Sequence, residues 1–264
     1  MGKKIKCELI NDNFQNYKKY GIPKAQLVIA DIPYNVGDKA YGSNPLWYNG
    51  WEVENGESRH AKKGFFNSDG YFKIPEYMHF CTKMLRPEPK EKLKAPAMIV
   101  FCAFDQMQTV IEYGKRYGFK NYYPLFFTKN YSPQVLKANM RIVGATEFAI
   151  VLYRDKLPKF NNNGKMVMNC FDWERDSETP KVHPTQKPVQ LLKRLIQLFT
   201  DEGEVVIDPC CGSGSTLLAA AKMDRKAYGF EIDRKFFNDA KNKVIGSFEP
   251  DMFQMLKYEG KRPT

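Results

Sequence analysis

Four consecutive residues, Asp31-Ile32-Pro33-Tyr34, follow a buried apolar run and combine groups that could hold a nucleic-acid base. In an open α/β sheet, ligands lie beyond the carboxyl ends of the strands, which is where these residues are expected. The Asp31 side chain and the Ile32 carbonyl could accept the two hydrogens of an exocyclic amino group, and the Tyr34 ring could stack on an extruded base. The alternative is a strand-ending turn, in which Asp and Pro are common. These residues alone leave both interpretations open.

A second stretch, residues 204–231, has the order strand, glycine turn, helix, strand and acid that is typical of a nucleoside-binding βαβ unit. Its first strand ends at Asp208 and its second at Glu231, whose carboxylate could accept hydrogen bonds from ribose hydroxyls. A dinucleotide fingerprint requires a third glycine, and Leu217 stands at that position. The pattern therefore predicts a nucleoside pocket and leaves its ligand open.

Composition restricts the class of protein. The chain has 264 residues, 43% of them hydrophobic, and a formal net charge of +11. That charge suits a nucleic-acid partner, although lysines on a solvated surface explain it as well. The sequence shows no membrane-spanning run and no signal peptide, so no membrane contact and a cytoplasmic location are expected. The six cysteines lack zinc-like spacing, which favours a reducing compartment and predicts no metal site.

Seven apolar runs alternate with helical patterns, which predicts one α/β domain, 1–264, with a doubly wound and mostly parallel sheet. The run 147–153 is expected to be antiparallel to its predecessor, because no crossover helix lies between them. Two long segments, 38–70 and 155–181, show no sustained periodicity and are predicted to be irregular insertions.

Three motifs together resemble one enzyme family. DIPY, which begins at Asp31, resembles the D-P-P-Y catalytic motif of DNA amino-methyltransferases. DPCCGSGST, which begins at Asp208, resembles their D-P-F-x-G-S-G-T-T methyl-donor motif. HPTQKP, which begins at His183, matches their H-P-T-Q-K-P segment letter for letter. The order of the motifs is that of the β-class, the circularly permuted adenine-N6 and cytosine-N4 methyltransferases.

The resemblance implies a seven-stranded, circularly permuted Rossmann-like sheet, S-adenosylmethionine as the methyl donor and DNA as the substrate. It implies catalytic roles for Asp31, Ile32, Pro33 and Tyr34. It also implies a set of donor-binding residues: Asp12, Thr185, Lys187, Asp208, Cys210, Gly212, Ser213, Gly214, Ser215 and Glu231. The irregular segments 38–70 and 155–181, with part of 129–144, would carry target recognition.

The motifs depart from the family pattern in two places. Ile32 replaces the first proline of D-P-P-Y, which is chemically tolerable because the role there belongs to a backbone carbonyl. Cys210 replaces the usual Phe and would put a smaller side chain beside the donor.

The resemblance favours adenine N6 as the target, because position 31 is aspartate rather than serine. Cytosine N4, RNA adenine and protein glutamine are alternative targets. An inactive DNA-binding module is an alternative of another class, which the intact Asp31 and Tyr34 argue against. A homodimer and a cognate restriction nuclease are both compatible with the resemblance.

Overall fold

The computed structural model describes residues 7–34, 72–131, 134–137, 142–183 and 185–246. The described residues form an eight-stranded sheet and a separate two-stranded hairpin. The strands are β1 (Cys7–Ile10), β2 (Leu27–Asp31), β3 (Ala97–Phe101), β4 (Asn121–Lys129), β5 (Gln134–Lys137), β6 (Ile142–Gly144), β7 (Thr146–Tyr153), β8 (Cys170–Trp173), β9 (Val205–Asp208) and β10 (Lys226–Phe230). The helices are α1 (Ile74–Met84), α2 (Met107–Arg116), α3 (Val189–Phe199), α4 (Ser215–Lys222) and α5 (Arg234–Asp239), with 3-10 turns at Phe14–Lys19 and Phe104–Gln106 and a π-helical turn at Ala240–Ile245.

The large sheet is mostly parallel and has the strand order β1-β10-β9-β2-β3-β7-β4-β8. Strand β7 is antiparallel to both of its neighbours, β3 and β4, as the sequence predicts. The cofactor half expected from residues 204–231 is last in the chain, yet β9 and β10 lie between β1 and β2 in the sheet. The permuted order therefore places the ends of β2 and β9 side by side.

The large sheet has eight described strands, one more than the predicted seven. The additional strand, β8, lies inside the segment 155–181 that was expected to be irregular, and it pairs in parallel with β4 at the edge of the sheet. It has only four residues, of which Phe171 and Trp173 are buried and the other two exposed. So short an alternation is not distinguishable from polar loop sequence by periodicity alone. Segment 38–70 lies outside the described residues.

Consecutive side chains of a strand point to opposite sides of the sheet, and helices cover both sides. In β2, Leu27 and Ile29 join the core beneath α3 and α4. Val28 and Ala30 join the second core, which contains the apolar face of α1. Asp31 follows Ile29 by two residues and so shares the α3 side, at the carboxyl end of the strand.

The glycine turn packs tightly against β10. A Cβ atom on Gly229 would clash with the Sγ of Cys211 and would lie 2.7 Å from Leu217 Cδ1. Glycine is required here by the close approach of the turn to the strand.

Among the described helices, none has the length and apolar character of a membrane-spanning segment.

Candidate active site

A cavity of about 530 Å³ opens at the carboxyl edge of the sheet, where β2 and β9 end in acidic residues. These two strands pair in parallel, so Asp31 and Asp208 reach the same cavity. The residues predicted for catalysis and donor binding line this cavity, apart from Gly214: Asp12, Asp31, Ile32, Pro33, Tyr34, Thr185, Lys187, Asp208, Cys210, Gly212, Ser213, Ser215 and Glu231. The structure thus brings distant motifs together, while the roles of the individual residues stay predictions.

Asp31 has one paired and one unpaired carboxylate oxygen. Oδ2 lies 2.8 Å from the Nζ of Lys187. Oδ1 is buried and has no hydrogen-bond partner within the described part of the chain. Burial raises the pKa of Asp31, and the Lys187 ammonium opposes that rise. An acceptor of this kind is costly to leave unmatched, so Oδ1 is suited to a donor brought by a ligand.

The turn after Asp31 is held by Gln106, which is not part of any of the sequence motifs. Its Nε2 donates to the Pro33 carbonyl at 2.9 Å, and its Oε1 accepts from the Ala103 N–H at 3.1 Å. The Ile32 N–H donates to the Phe101 carbonyl at 3.1 Å. These bonds fix the backbone on both sides of the Ile32 carbonyl.

Tyr34 is tied to a buried ion pair. Its hydroxyl donates to Glu147 Oε2 at 2.8 Å, and Glu147 Oε1 pairs with the Lys129 ammonium. Lys129 Nζ in turn lies 5.0 Å from the centre of the Trp173 ring. The sequence offers only the similarity of Thr146-Glu147-Phe148 to a late strand of the family as a signal for Glu147.

Lys187 precedes α3, whose N-cap is Pro188, and its side chain is 6% exposed. The ammonium lies 4.6 Å from the ring centre of Phe101, 5.2 Å from that of Trp173 and 6.0 Å from that of Tyr34. A cation over aromatic faces is stabilised by the ring quadrupoles. Lys187, which the resemblance assigns to donor binding, therefore also pairs with Asp31.

The glycine turn is built around two acids with raised pKa values. Asp208 Oδ1 accepts from the Cys210 N–H at 2.9 Å, and burial raises the pKa of Asp208 to about 7. Glu231 accepts from the Gly212 N–H at 2.8 Å and from the Asp233 N–H at 2.7 Å. Burial raises the pKa of Glu231 to about 7 as well. Because burial raises the pKa values of both carboxyls, a cationic ligand bound beside them would shift them towards their ionised forms.

Two glycines of the turn adopt left-handed backbone conformations, with φ of 50° at Gly212 and 75° at Gly214. A Cβ on Gly214 would lie 3.1 Å from Ile245 Cδ1, away from the cavity lining. Gly214 therefore serves the turn and its packing. Ser213 and Ser215 lie with their hydroxyl oxygens 2.8 Å apart and buried.

Asp12 and the HPTQKP segment complete the cavity. Asp12 accepts hydrogen bonds from the Tyr20 hydroxyl at 2.6 Å and from the Asn13 N–H at 2.7 Å. The ring centre of His183 lies 4.4 Å from that of Phe236, and its Nδ1 lies 3.1 Å from the Thr185 hydroxyl. Burial lowers the pKa of His183 to about 4, so the imidazole is neutral at physiological pH.

Metal ligands and disulfides are not features of the described site. No cluster of three or more His, Cys, Asp or Glu side chains among the described residues is arranged to hold a metal ion. All six cysteines are free thiols, and burial raises the pKa values of Cys210 and Cys211. Thiols of this kind are poor nucleophiles, which agrees with packing roles in the turn.

Comparison with known proteins decides the family. A family model described as "DNA methylase", for N6 and N4 methyltransferases, matches residues 25–242. The chain belongs to this DNA methylase family. Its members use S-adenosylmethionine, so the donor expected from the motifs is confirmed at the level of the family.

Two curated relatives extend this match. The DNA adenine methyltransferase YhdJ of Escherichia coli is 27% identical over 246 residues, which cover 89% of this chain and 81% of that protein. The type II methyltransferase M.HindIII of Haemophilus influenzae is 33% identical over 167 residues, covering 58% of this chain and 52% of its own length.

Solved structures share the fold. The M1.HpyAVI–SAM complex has a TM-score of 0.62 at 20% identity and covers 90% of this chain and 98% of its own. The cytosine-N4-specific PvuII DNA methyltransferase has a TM-score of 0.61 at 16% identity and covers 92% of this chain and 89% of its own. The α/β methyltransferase fold predicted from the sequence is therefore confirmed.

The residues present fit the family's donor. The cavity carries acceptors at the ends of two neighbouring strands, Asp208 and Glu231, and a glycine turn at the start of α4. The turn 209–214 contains no lysine or arginine to bind a phosphate. Carboxylates at strand ends suit ribose hydroxyls and a cationic sulfonium better than a pyrophosphate.

Proposed function

We propose that this DNA methyltransferase transfers the methyl group of S-adenosylmethionine to the N6 amino group of adenine. The observation that carries the proposal is the buried Oδ1 of Asp31, which has no hydrogen-bond partner among the described residues and is followed in the chain by the backbone carbonyl of Ile32. An exocyclic amino group has two hydrogens, and Asp31 Oδ1 with the Ile32 carbonyl supplies two acceptors for them.

The residues from Asp31 to Tyr34 bind the base in two ways, by hydrogen bonds to its amino group and by stacking on its ring. S-Adenosylmethionine, when bound, supplies an electrophilic methyl group on a sulfonium. Hydrogen bonds to Asp31 and to the Ile32 carbonyl orient the nitrogen lone pair towards that methyl and stabilise the positive charge that develops on nitrogen. The Tyr34 ring stacks on the extruded base. As the N–C bond forms and the C–S bond breaks, one amino proton must leave, and we assign its acceptance to the Asp31 carboxylate.

The glycine half of the cavity is assigned to the donor. Glu231 would bind the ribose hydroxyls, and Asp208 with the backbone from Cys210 to Ser213 would line the sugar and methionine portion. Ser215, Thr185 and Lys187 lie around the same space, as does Asp12. Gly214 contributes through the shape of the turn.

Adenine is favoured over cytosine by two arguments. Position 31 is an aspartate, as in the adenine-specific pattern that the motif resembles. YhdJ, whose alignment covers 89% of this chain at 27% identity, is named a DNA adenine methyltransferase. The net charge of +11 supports a DNA partner through phosphate contacts.

Methyl transfer from labelled donor to DNA, RNA and protein tests the proposal. We expect label on DNA adenine, and we expect Asp31→Ala to abolish it while leaving donor affinity unchanged by calorimetry. Glu231→Ala should weaken donor binding. Label on cytosine would select the alternative base. Absence of transfer to any DNA, or full transfer by Asp31→Ala, would contradict the proposal.

The biological setting is a second part of the proposal. The type II name of M.HindIII supports a cognate restriction nuclease. Sequencing the methylated adenines in treated DNA would give the DNA sequence that the enzyme recognises. A nuclease that cuts only the unmethylated form of that sequence would support a restriction-modification pair.

The six free thiols and a DNA substrate favour a cytoplasmic location. Homodimerisation stays a prediction, which sedimentation would test.

A further inference from the structure

The ion pair behind Tyr34 is more deeply buried than surface pairs. The side chain of Lys129 is 5% exposed and that of Glu147 is 15% exposed. Taking two charges out of water is costly, and apolar residues of similar size often stabilise a protein as well as a buried pair does. Stability alone therefore gives a weak reason for an ion pair at this position.

The pair is built on the rigid part of the sheet. Glu147 in β7 lies opposite Phe127 in β4, and Lys129 follows Phe127 by two residues. Side chains two residues apart in a strand share a face, so the sheet itself places the ammonium beside the carboxylate. The Lys129 N–H also donates to the Ala145 carbonyl at 2.7 Å, which fixes the end of β4 against the start of β7.

Every described contact of the Glu147 carboxylate fixes its orientation. One oxygen pairs with Lys129, and the other accepts from the Tyr34 hydroxyl at 2.8 Å. Burial opposes ionisation, yet the ammonium groups of Lys187 and Lys129 hold the pKa of Glu147 below its usual range. Burial also keeps the pKa of Tyr34 well above 10, so the phenol remains a donor.

We propose that Glu147 is a positioning residue for methyl transfer: it holds the Tyr34 ring in the orientation that stacks on the target base, and Lys129 holds Glu147. This inference rests on the proposed function, because it assumes that Tyr34 contacts the base. A ring tied at its hydroxyl cannot swing about its χ angles without breaking the bond, so the stacking surface is formed before the base arrives. Preorganisation of this kind acts on the chemical step.

Two double variants separate the hydrogen bond from the charges. Glu147→Gln/Lys129→Met and Glu147→Leu/Lys129→Met both remove the ion pair, but only the first keeps an acceptor for Tyr34. We expect the glutamine variant, which also lacks Lys129, to have a kcat below that of wild type on unmethylated genomic DNA. The kcat of the leucine variant should be roughly five- to tenfold lower than that of the glutamine variant, the size expected for one hydrogen bond. The KM for the donor should be unchanged in both.

A Tyr34→Phe background provides the decisive comparison. Without the phenol, the glutamine and leucine variants should have the same kcat, because the residue acts only through that hydroxyl. Equal kcat values with Tyr34 present would overturn the inference, and so would a difference that persists in Tyr34→Phe. Glu91→Gln, an exposed carboxylate in the loop before β3, is the matched control and should keep wild-type kcat.

The test does not depend on the leucine variant folding. Tyr34→Phe alone removes the same hydrogen bond, and it should lower kcat roughly five- to tenfold with donor affinity unchanged by calorimetry. Wild-type kcat in Tyr34→Phe would overturn the inference. These outcomes are distinct from failure of the proposed function, in which the wild-type protein would transfer no label to DNA.

Discussion

Lys187→Met is expected to change the pH dependence of methyl transfer, because it removes the cation beside Asp31. Methionine keeps an unbranched side chain of similar length without the charge. Burial already raises the pKa of Asp31, and the ammonium 2.8 Å away limits that rise. Without the ammonium the pKa of Asp31 rises further, so the carboxyl stays protonated up to a higher pH and, when protonated, no longer offers both oxygens as acceptors.

The size of the effect follows from the geometry. At 2.8 Å the attraction is on the order of 6 kcal/mol for an effective dielectric constant of about 20. The Asp31 side chain is 25% exposed, so water entering the variant site would replace part of this attraction. Carboxylates beside one cation typically have a pKa lowered by about 1 to 3 pH units. We therefore expect the acidic limb of the single-turnover rate profile to move to higher pH by a shift of this order.

Single-turnover transfer at saturating donor, measured from pH 5.5 to 9.5, gives the profile. Lys187→Arg keeps the charge and should have a limb close to that of wild type, and calorimetry would show whether donor affinity changes. Recovery of the Lys187→Met rate at high pH is the expected result. A rate that is lowered equally at every pH would refute the electrostatic reasoning and assign Lys187 to binding alone.

Three further perturbations test the site and its support. The pKa of Asp208 is raised from 3.8 to about 7, so the free energy of unfolding of the ligand-free protein should fall by up to about 4 kcal/mol as pH rises from 4 through 7. Asp208→Asn should reduce this pH dependence in calorimetry, and an equal pH dependence in variant and wild type would contradict the prediction. Gly229→Ala should cost about 1–3 kcal/mol in urea unfolding, and less in a Cys211→Ala background, since the clashing sulfur is then absent. Gln106→Leu removes the donor to the Pro33 carbonyl and should lower kcat about five- to tenfold without changing donor affinity; an unchanged kcat would show that the turn holds without it.

The sequence was most informative where chemistry requires particular residue types in a fixed order. The end of β2 at Asp31 and the end of β9 at Asp208 could be placed at one edge because parallel strands share their carboxyl ends. The strand predicted at 147–153 differs from β7 by one residue, because apolar periodicity locates an element better than it locates the element's ends. The antiparallel direction of β7 followed from the lack of a crossover-helix pattern between its run and the preceding strand.

Contacts between distant strands were outside the reach of sequence patterns. Gln106 and Glu147 are ordinary polar residues in their own segments, and their roles appear only when the Pro33 carbonyl and the Tyr34 hydroxyl come within hydrogen-bond distance. The edge strand β8 was missed because its pairing energy comes from β4 and not from a local pattern. Tertiary partners, rather than propensity, decide such short elements.

Strand β8 also changes the interpretation of the segment 155–181, which was expected to serve target recognition. Trp173 at its end lies under both lysines of the site, 5.0 Å from Lys129 Nζ and 5.2 Å from Lys187 Nζ. Lys129 holds the Glu147 carboxylate that binds Tyr34, and Lys187 pairs with Asp31. The Trp173 ring therefore contacts both Lys129 and Lys187, the two lysines that support the groups proposed to hold the base. We expect a change in the position of β8 to move both groups together, so the segment predicted for target recognition also contains a residue that packs against the proposed catalytic groups.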